Sequence, residues 1–454
     1  MQTGDRRHPQ RQPYRRQRRR GLSTDGRNVR TARRHGAVIR LLLTGLLLAI
    51  SSDGEPALAR DWPQWRGPDR DGRTLDFQTP AVWPDSLRLE WQVNVGTGHS
   101  SPVVSGESVF LHTRLDDEET VSRFALGSGQ LKWRRTYPAP YEMNPNARDH
   151  GKGPKSTPVV ADGRLFTLGI TEILSAFDAA SGELLWRHIP DFPLNAPLFG
   201  TAASPIVFGD VVVTHLGGRG QGALVAYAVS DGSERWRWSD DGPGYASPIV
   251  IEVEGNPQLI TQTEHYCLAV DPVTGEELWR LPFTTPHDQN VVTPLSLGGG
   301  IVVFSGLEQG THAMRIVHED GQWRPDTVWH NRGLSMYMNS PVVGDSLLFG
   351  LTNSQRGRLF CLDAKTGETL WRGPPGVGDN AVIVDIGGSL LVQSAGAALQ
   401  VVKKTGSAFD LVSKYVVADS PTWSHPAPVG NRLLVKDVSH LTSWIVTADD
   451  KGPQ

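Results

Sequence analysis

The chain has 454 residues, long enough for one large core or two ordinary ones. Glycine (49), proline (32) and tryptophan (14) are frequent, and apolar residues fall in short runs such as "VVVT" and "IVVF" between turn residues, a pattern of many short strands rather than helices. Residues 1–59 carry thirteen arginines against four acids, a net of +9; without them the formal charge moves from −3 to about −12, which leaves nothing to recommend nucleic acid or an anionic membrane as a partner.

In chain order, the first 40 residues form an arginine-rich arm that runs into the ten-residue apolar stretch Leu41 to Ile50, too short to span a bilayer comfortably. With Ala57-Leu58-Ala59 behind it, this reads as a secretory signal cleaved near Ala59, and the arm as an over-long basic region or a misassigned start rather than a nucleic-acid tail. Residues 1–59 are thus expected to be removed, and the protein to be periplasmic or extracellular. No cysteine stands near Ala59, so no lipid anchor is expected. Residues 60–86 form an N-terminal extension that opens on "DWPQWRGPDRDG" (Asp61 to Gly72), and no transmembrane span is expected in the mature chain. Cys267 and Cys361 sit in apolar strand contexts and read as buried free thiols.

Residues 87–448 repeat one unit, before a short tail at 449–454. A Ser/Thr-Pro pair enters a β-branched run at Pro102, Pro158, Pro205, Pro248, Pro294 and Pro341, at intervals of 56, 47, 43, 46 and 47 residues. Downstream of these pairs comes a second landmark, seen in "LSAFDAASGELLWR", "LAVDPVTGEELWR" and "LFCLDAKTGETLWR" and in weaker copies elsewhere. Periods of this size with four strand signals each mean propeller blades. Asp178, Asp271 and Asp363 are turn formers rather than metal ligands, and Gly182, Gly275 and Gly367 supply the positive φ of a bulged hairpin. Trp186, Trp236, Trp279 and Trp371 lie on outer strands and seal one blade against the next.

Trp91 has the look of an outer strand without a blade of its own, and the segment from His425 to Val446 lacks an outer strand. The N-terminal strand is therefore expected to complete the last blade and close an all-β, eight-bladed propeller. Seven blades remain the alternative, because the segment Asn380 to Val417 lacks both the Ser-Pro pair and the tryptophan.

The D-x-x-T-G-E-x-L-W-R repeat resembles that of the pyrroloquinoline-quinone-like (PQQ-like) β-propellers, and "DWPQWRGPDRDG" resembles the opening of their exported, uncharacterised members. The resemblance implies an envelope propeller of quinoprotein-dehydrogenase-like fold. It also implies what a dehydrogenase of this kind would carry: adjacent cysteines over the quinone, a calcium held by Glu and Asn, and a catalytic Asp. Here the cysteines are 94 residues apart and there is no C-x-x-C-H haem attachment. The resemblance extends to the outer-membrane assembly propeller, a lipoprotein, and implies partner binding by a rigid scaffold.

Loops entering each Ser/Thr-Pro should converge on the mouth of the central channel. They supply a candidate ligand funnel: His99, His150, Lys155, Tyr245, Asn290, Tyr337, Asn339, Trp423 and His425, with His287 and Asp288 as a candidate acid/base pair. The competing reading is that these groups only tie loop to loop. His99, His150 and His425 would sit on neighbouring blades, yet no metal site is expected. The long insertion Thr136 to Lys155 is the preferred partner-contact surface. These features favour a monomeric, non-catalytic exported propeller that recognises envelope proteins or a small ligand, with no cofactor expected. The alternatives are a quinone-dependent oxidoreductase binding PQQ and calcium in the funnel, and a carbohydrate-binding propeller.

Overall fold

Each sequence repeat folds into one four-stranded antiparallel sheet. The structure is a computed structural model, and it describes residues 61–74, 76–190, 198–218 and 220–447. The signal segment with its cleavage point near Ala59, and the 449–454 tail, lie outside the described residues. Among those residues, thirty-two strands form eight four-stranded sheets. Seven blades are built in sequence order from 103–138, 159–188, 206–238, 249–282, 295–331, 342–375 and 381–416. The eighth takes Ala427–Val429, Arg432–Lys436 and His440–Ile445 from the end of the chain and its outermost strand, Arg88–Asn94, from the start. This pairing runs from Arg88 opposite Ile445 to Asn94 opposite His440. The ring therefore has eight blades and is closed by the N-terminal strand.

The sixth blade shows how the sequence builds the unit. Val342–Gly344 turns into Leu347–Thr352 through Asp345 and Ser346, both at positive φ (55° and 63°), which is the mirror-image turn that suits twisted hairpins. The two middle strands are buried almost throughout because neighbouring blades cover both faces, whereas the outer strand Thr369–Pro375 buries only Trp371 and Gly373. Asp363 Oδ1 accepts the backbone N–H groups of Lys365 and Thr366, and Asp271 Oδ1 does the same for Val273 and Thr274. The side chain thus fixes the turn before the outer strand.

The glycine that follows in the same turn meets a second constraint. Gly275 has φ of +75°, and a Cβ there would lie 2.6 Å from the Trp236 ring of the preceding blade. Gly182 faces Trp133 and Gly367 faces Trp329 in the same way. The indole then donates onward across the blade boundary: Trp133 Nε1 to Ala179 O (3.1 Å), Trp186 to Val229 O (3.1 Å), Trp236 to Pro272 O (3.0 Å) and Trp329 to Ala364 O (3.0 Å). Trp279 is different, because the fifth blade has a long Gly310–Glu319/Gln322–Asn331 hairpin in place of the D-x-x-T-G turn. Its Nε1 donates to Gln258 Oε1 within its own blade (2.8 Å), while its ring packs edge-on against Phe304 of the next. In the seventh blade Tyr415 takes the tryptophan's place and donates to Pro84 O (2.6 Å) in the N-terminal extension.

The Ser/Thr-Pro landmark stitches the inner rim. The backbone N–H of the residue before the proline in one blade donates to the hydroxyl of the next: His425 to Ser101 (2.9 Å), Ser101 to Thr157 (3.2 Å), Thr157 to Ser204 (2.9 Å), Ser204 to Ser247 (2.9 Å) and Thr293 to Ser340 (3.0 Å). These groups are buried, so each link satisfies a donor that water cannot reach.

The N-terminal extension enters the channel this rim surrounds. Trp62 pairs with Val104 of the first blade, and Val160 of the second donates to Pro63 O. Arg66, 1% exposed, donates to Ser340 O (3.2 Å) and Pro341 O of the sixth blade and to Arg70 O and Asp71 O of its own loop. Arg70 donates to Ser204 O (3.1 Å) and Pro205 O (3.0 Å) of the third. Thr74 donates to Asp385 O of the seventh. The segment is thus tied to inner strands on several sides of the ring.

Candidate functional site

The plug leaves a recess of about 160 Å³ on the side where the blade-entry loops converge. Its lining comes from those loops and from the plug. Trp65 Nε1 donates to Thr293 Oγ1 (3.0 Å), and its ring lies 4.1 Å, centroid to centroid, from that of His425. His99 stacks on Trp423 (5.6 Å, 12° between planes), and His150 meets Trp423 edge-on at 5.1 Å and Phe199 at 4.8 Å. The insertion before the second blade folds inward to place these groups. Pro154 O accepts the N–H groups of His99 (2.8 Å) and Ser100 (3.0 Å), and a side chain at Gly153 would strike the backbone of Gly98. Its outer residues, including Glu142, Asn146 and Arg148, remain exposed.

The chemistry of the recess is that of neutral rings and one cation. Burial, reinforced by nearby Lys155 and Lys436, holds His99 well below the usual histidine range. Burial with Lys155 lowers His150, and burial with Arg66 holds His425 far down. All three rings are uncharged at neutral pH. Lys155 is pushed down to about 8 by burial and donates to Gly151 O (3.0 Å) and, more weakly, Gly153 O (3.5 Å). No carboxylate lines the recess. His425 Nδ1 is buried without a hydrogen-bond partner among the described residues.

Of the residues singled out in sequence, His99, His150, Lys155, Tyr245, Asn339, Trp423 and His425 come together here. Asn339 is already committed, with Nδ2 donating to Leu351 O (2.9 Å) and Oδ1 accepting Leu351 N (3.2 Å). Asn290 lies outside the recess, its Nδ2 donating to Thr263 O, Glu264 O and Phe283 O, so it is a loop tie. Tyr337, also outside, donates to Gln289. His287 is exposed on a short 3-10 turn with Asp288, both at positive φ, and neither reaches the recess. Asp288 instead lies 3.9 Å from His265 Nε2.

His265 belongs to a cluster the sequence reading did not foresee. Its ligand atom and those of Asp241 and Glu264 lie within 4.8 Å of one another, the single group of this kind among the described residues. Their hydrogen bonds explain the cluster as a clasp between loops. Asp241 accepts from Thr263 Oγ1 (2.6 Å), His265 N (2.8 Å) and His265 Nδ1 (2.7 Å), and Glu264 accepts from Gly220 N (2.7 Å). His99, His150 and His425 form no such group, since their contacts are ring against ring.

Trp65, Phe199 and Thr293 also went unrecognised as lining residues. The signal for Trp65 was present in the density of tryptophan, proline, glycine and arginine in "DWPQWRGPDRDG", which is unusual for a linker. What a linear reading lacks is that this stretch fills the channel.

Residues 117–373, more than half of the chain, match a family model described as outer membrane protein assembly factor BamB. The chain belongs to this family of PQQ-like propellers. The outer membrane protein assembly factor BamB of Shewanella oneidensis is 23% identical over 64% of this chain and 81% of its own length. The quinohemoprotein alcohol dehydrogenase ADH-IIG of Pseudomonas putida is 30% identical, but over 31% of this chain and 21% of its own. In fold, the crystal structure of BamB from Moraxella catarrhalis aligns with 81% of this chain and 99% of that one, at a TM-score of 0.57 and 15% identity.

The residues present in this PQQ-like propeller do not fit the quinone. Cys267 and Cys361 are free, fully buried in different blades, and their thiols are pushed up by burial, that of Cys361 to about 12. The recess offers no carboxylate to hold calcium.

Proposed function

We propose that the protein is an exported, non-catalytic PQQ-like propeller, acting in the periplasm or outside the cell as a scaffold that recognises envelope proteins or a small ligand. The observation that carries this reading is the plugged channel: a rigid ring whose funnel floor is Trp65 and whose recess holds neutral histidines and a lysine, without a carboxylate to serve as base or metal ligand. The similarity to proteins named as outer membrane protein assembly factors supports an envelope role and a partner-binding mode. The contact surface is the exposed part of the 136–155 insertion, on the face where the funnel opens. No helix among the described residues is long and apolar enough to cross a membrane.

A photo-crosslinking side chain at Glu142 or Asn146, introduced in the native bacterium, tests this directly. Discrete crosslinks to envelope proteins are expected there, and none from a matched probe at exposed Glu254, in a hairpin turn at the opposite end of an inner strand. Equal labelling at both places, or none at either, would overturn the scaffold reading.

A further inference from the structure

The funnel recess concentrates polar capacity that the protein itself leaves unused. Folded proteins pair nearly all their buried polar atoms. Here His425 Nδ1 is fully enclosed without a hydrogen-bond partner among the described residues, and the half-buried rings of His99 and His150 line the same recess. Beside them stands Lys155, the one formal charge in the lining. Its ammonium has three donors and two carbonyl acceptors, one at 3.0 Å and one at 3.5 Å, with no carboxylate within ion-pair distance among the described residues. Glu119 attracts it from beyond contact but is itself held by Tyr137, Ile170 and His112, and a partly desolvated cation without a contacting counter-charge is costly unless something supplies one.

The rest of the lining limits what that can be. Trp65 and Trp423 present indole surface next to the histidine rings. A cationic guest, the usual occupant of an aromatic cage, would face Lys155 with no carboxylate to offset it. The recess between Trp65 and Trp423, about 160 Å³, has room for one ring.

We propose that the recess is a receptor for a small single-ring carboxylate, with Lys155 meeting the carboxylate, the histidine nitrogens meeting other polar substituents, and the ring lying against Trp65 and Trp423. This rests on the ligand-recognition half of the function proposed above. Two sources share the chemistry, a sugar acid and an aromatic acid, and they differ in the ring's polar substituents. The partnerless His425 Nδ1 would serve a hydroxyl group, which a sugar acid has and benzoate lacks.

The test is calorimetric titration of the purified protein at pH 7 with D-glucuronate and with benzoate, alongside glucose, benzyl alcohol and choline. Saturable binding of at least one carboxylate is expected, with none of the three uncharged or cationic probes matching it; tighter glucuronate assigns a sugar acid and tighter benzoate an aromatic acid. Lys155→Gln should weaken the carboxylate roughly ten-fold, the loss of a charge-assisted contact, and Lys155→Arg should stay within about three-fold of the parent. Absence of carboxylate binding, equal binding of the uncharged analogues, or unchanged affinity in folded Lys155→Gln overturns the proposal. Should Lys155→Gln not fold, the contrast between acid and uncharged analogue on the parent protein decides the matter alone. Crosslinking at Glu142 and Asn146 is independent of these titrations, so the receptor can fail while the scaffold stands, and the reverse.

Discussion

At Gly275 two constraints fall on one atom that is not there. The turn requires φ of +75°, and the Trp236 ring occupies the place of a Cβ. Gly255 separates them, since it has φ of +78° with nothing within 4 Å of a Cβ. Gly255→Ala should therefore cost about 1 kcal/mol, for the backbone alone, and Gly275→Ala roughly 1–3 kcal/mol more, for displacing the indole. Urea denaturation of the two variants gives the comparison, and equal losses would show that the turn, not the blade contact, selects glycine. Glu172 supplies a pH signature. Burial raises its carboxyl to about 7 against an ordinary 4.5, although it accepts from Gly217 N (2.7 Å) and Thr201 Oγ1 (3.2 Å). The folded state thus binds the proton more tightly than the unfolded one. Its contribution to stability is fully present below about pH 4.5 and is lost as pH rises through about 7. Melting temperatures of the parent and Glu172→Gln between pH 4.5 and 8 should converge at the acid end, with the parent falling relative to the variant as pH rises. A constant offset would contradict the assignment.

Among elements, the 61–74 segment holds its place mainly through backbone carbonyls, with one ion pair from Arg73 to Asp385 of the seventh blade (3.4 Å). The Arg66 guanidinium is brought down to about 10 and that of Arg70 to about 9, mainly by burial, and each is surrounded by carbonyl oxygens from its own loop and from inner strands. Arg66→Met should lower stability by roughly 2–4 kcal/mol by leaving those carbonyls unpartnered. Limited proteolysis should then cut within 61–74 before the blades, and simultaneous loss of all fragments would mean that the segment is not a separable plug. This element also marks where the sequence was hard to read. Repeats announce themselves because each copy of D-x-x-T-G-E-x-L-W-R meets the same neighbour, so the period, the turn aspartates and the closing strand at Trp91 were all legible. "DWPQWRGPDRDG" occurs once, its contacts reach residues as distant in sequence as His425, which packs on Trp65, and no period exposes them. The funnel histidines were legible for the opposite reason, because they precede the repeated Ser/Thr-Pro. His287 and Asp288 share that position in sequence, but a turn with both residues at positive φ directs them away from the recess.

For the whole molecule, the eight sheets, the closing strand and the plug give a ring whose inner edges are tied twice, by the hydroxyl chain of the Ser/Thr-Pro residues and by the carbonyls that hold Arg66 and Arg70. Such a body presents fixed loops to a partner with little ordering cost. On the function proposed above, this filled channel belongs to a recognition scaffold rather than to a quinoprotein. The most direct measurement is titration of the protein with pyrroloquinoline quinone in the presence of Ca²⁺, followed by absorbance and by thermal melting. Neither signal should move at stoichiometric quinone. A saturable spectral change with a raised melting temperature, followed by alcohol-dependent dye reduction, would contradict the non-catalytic reading.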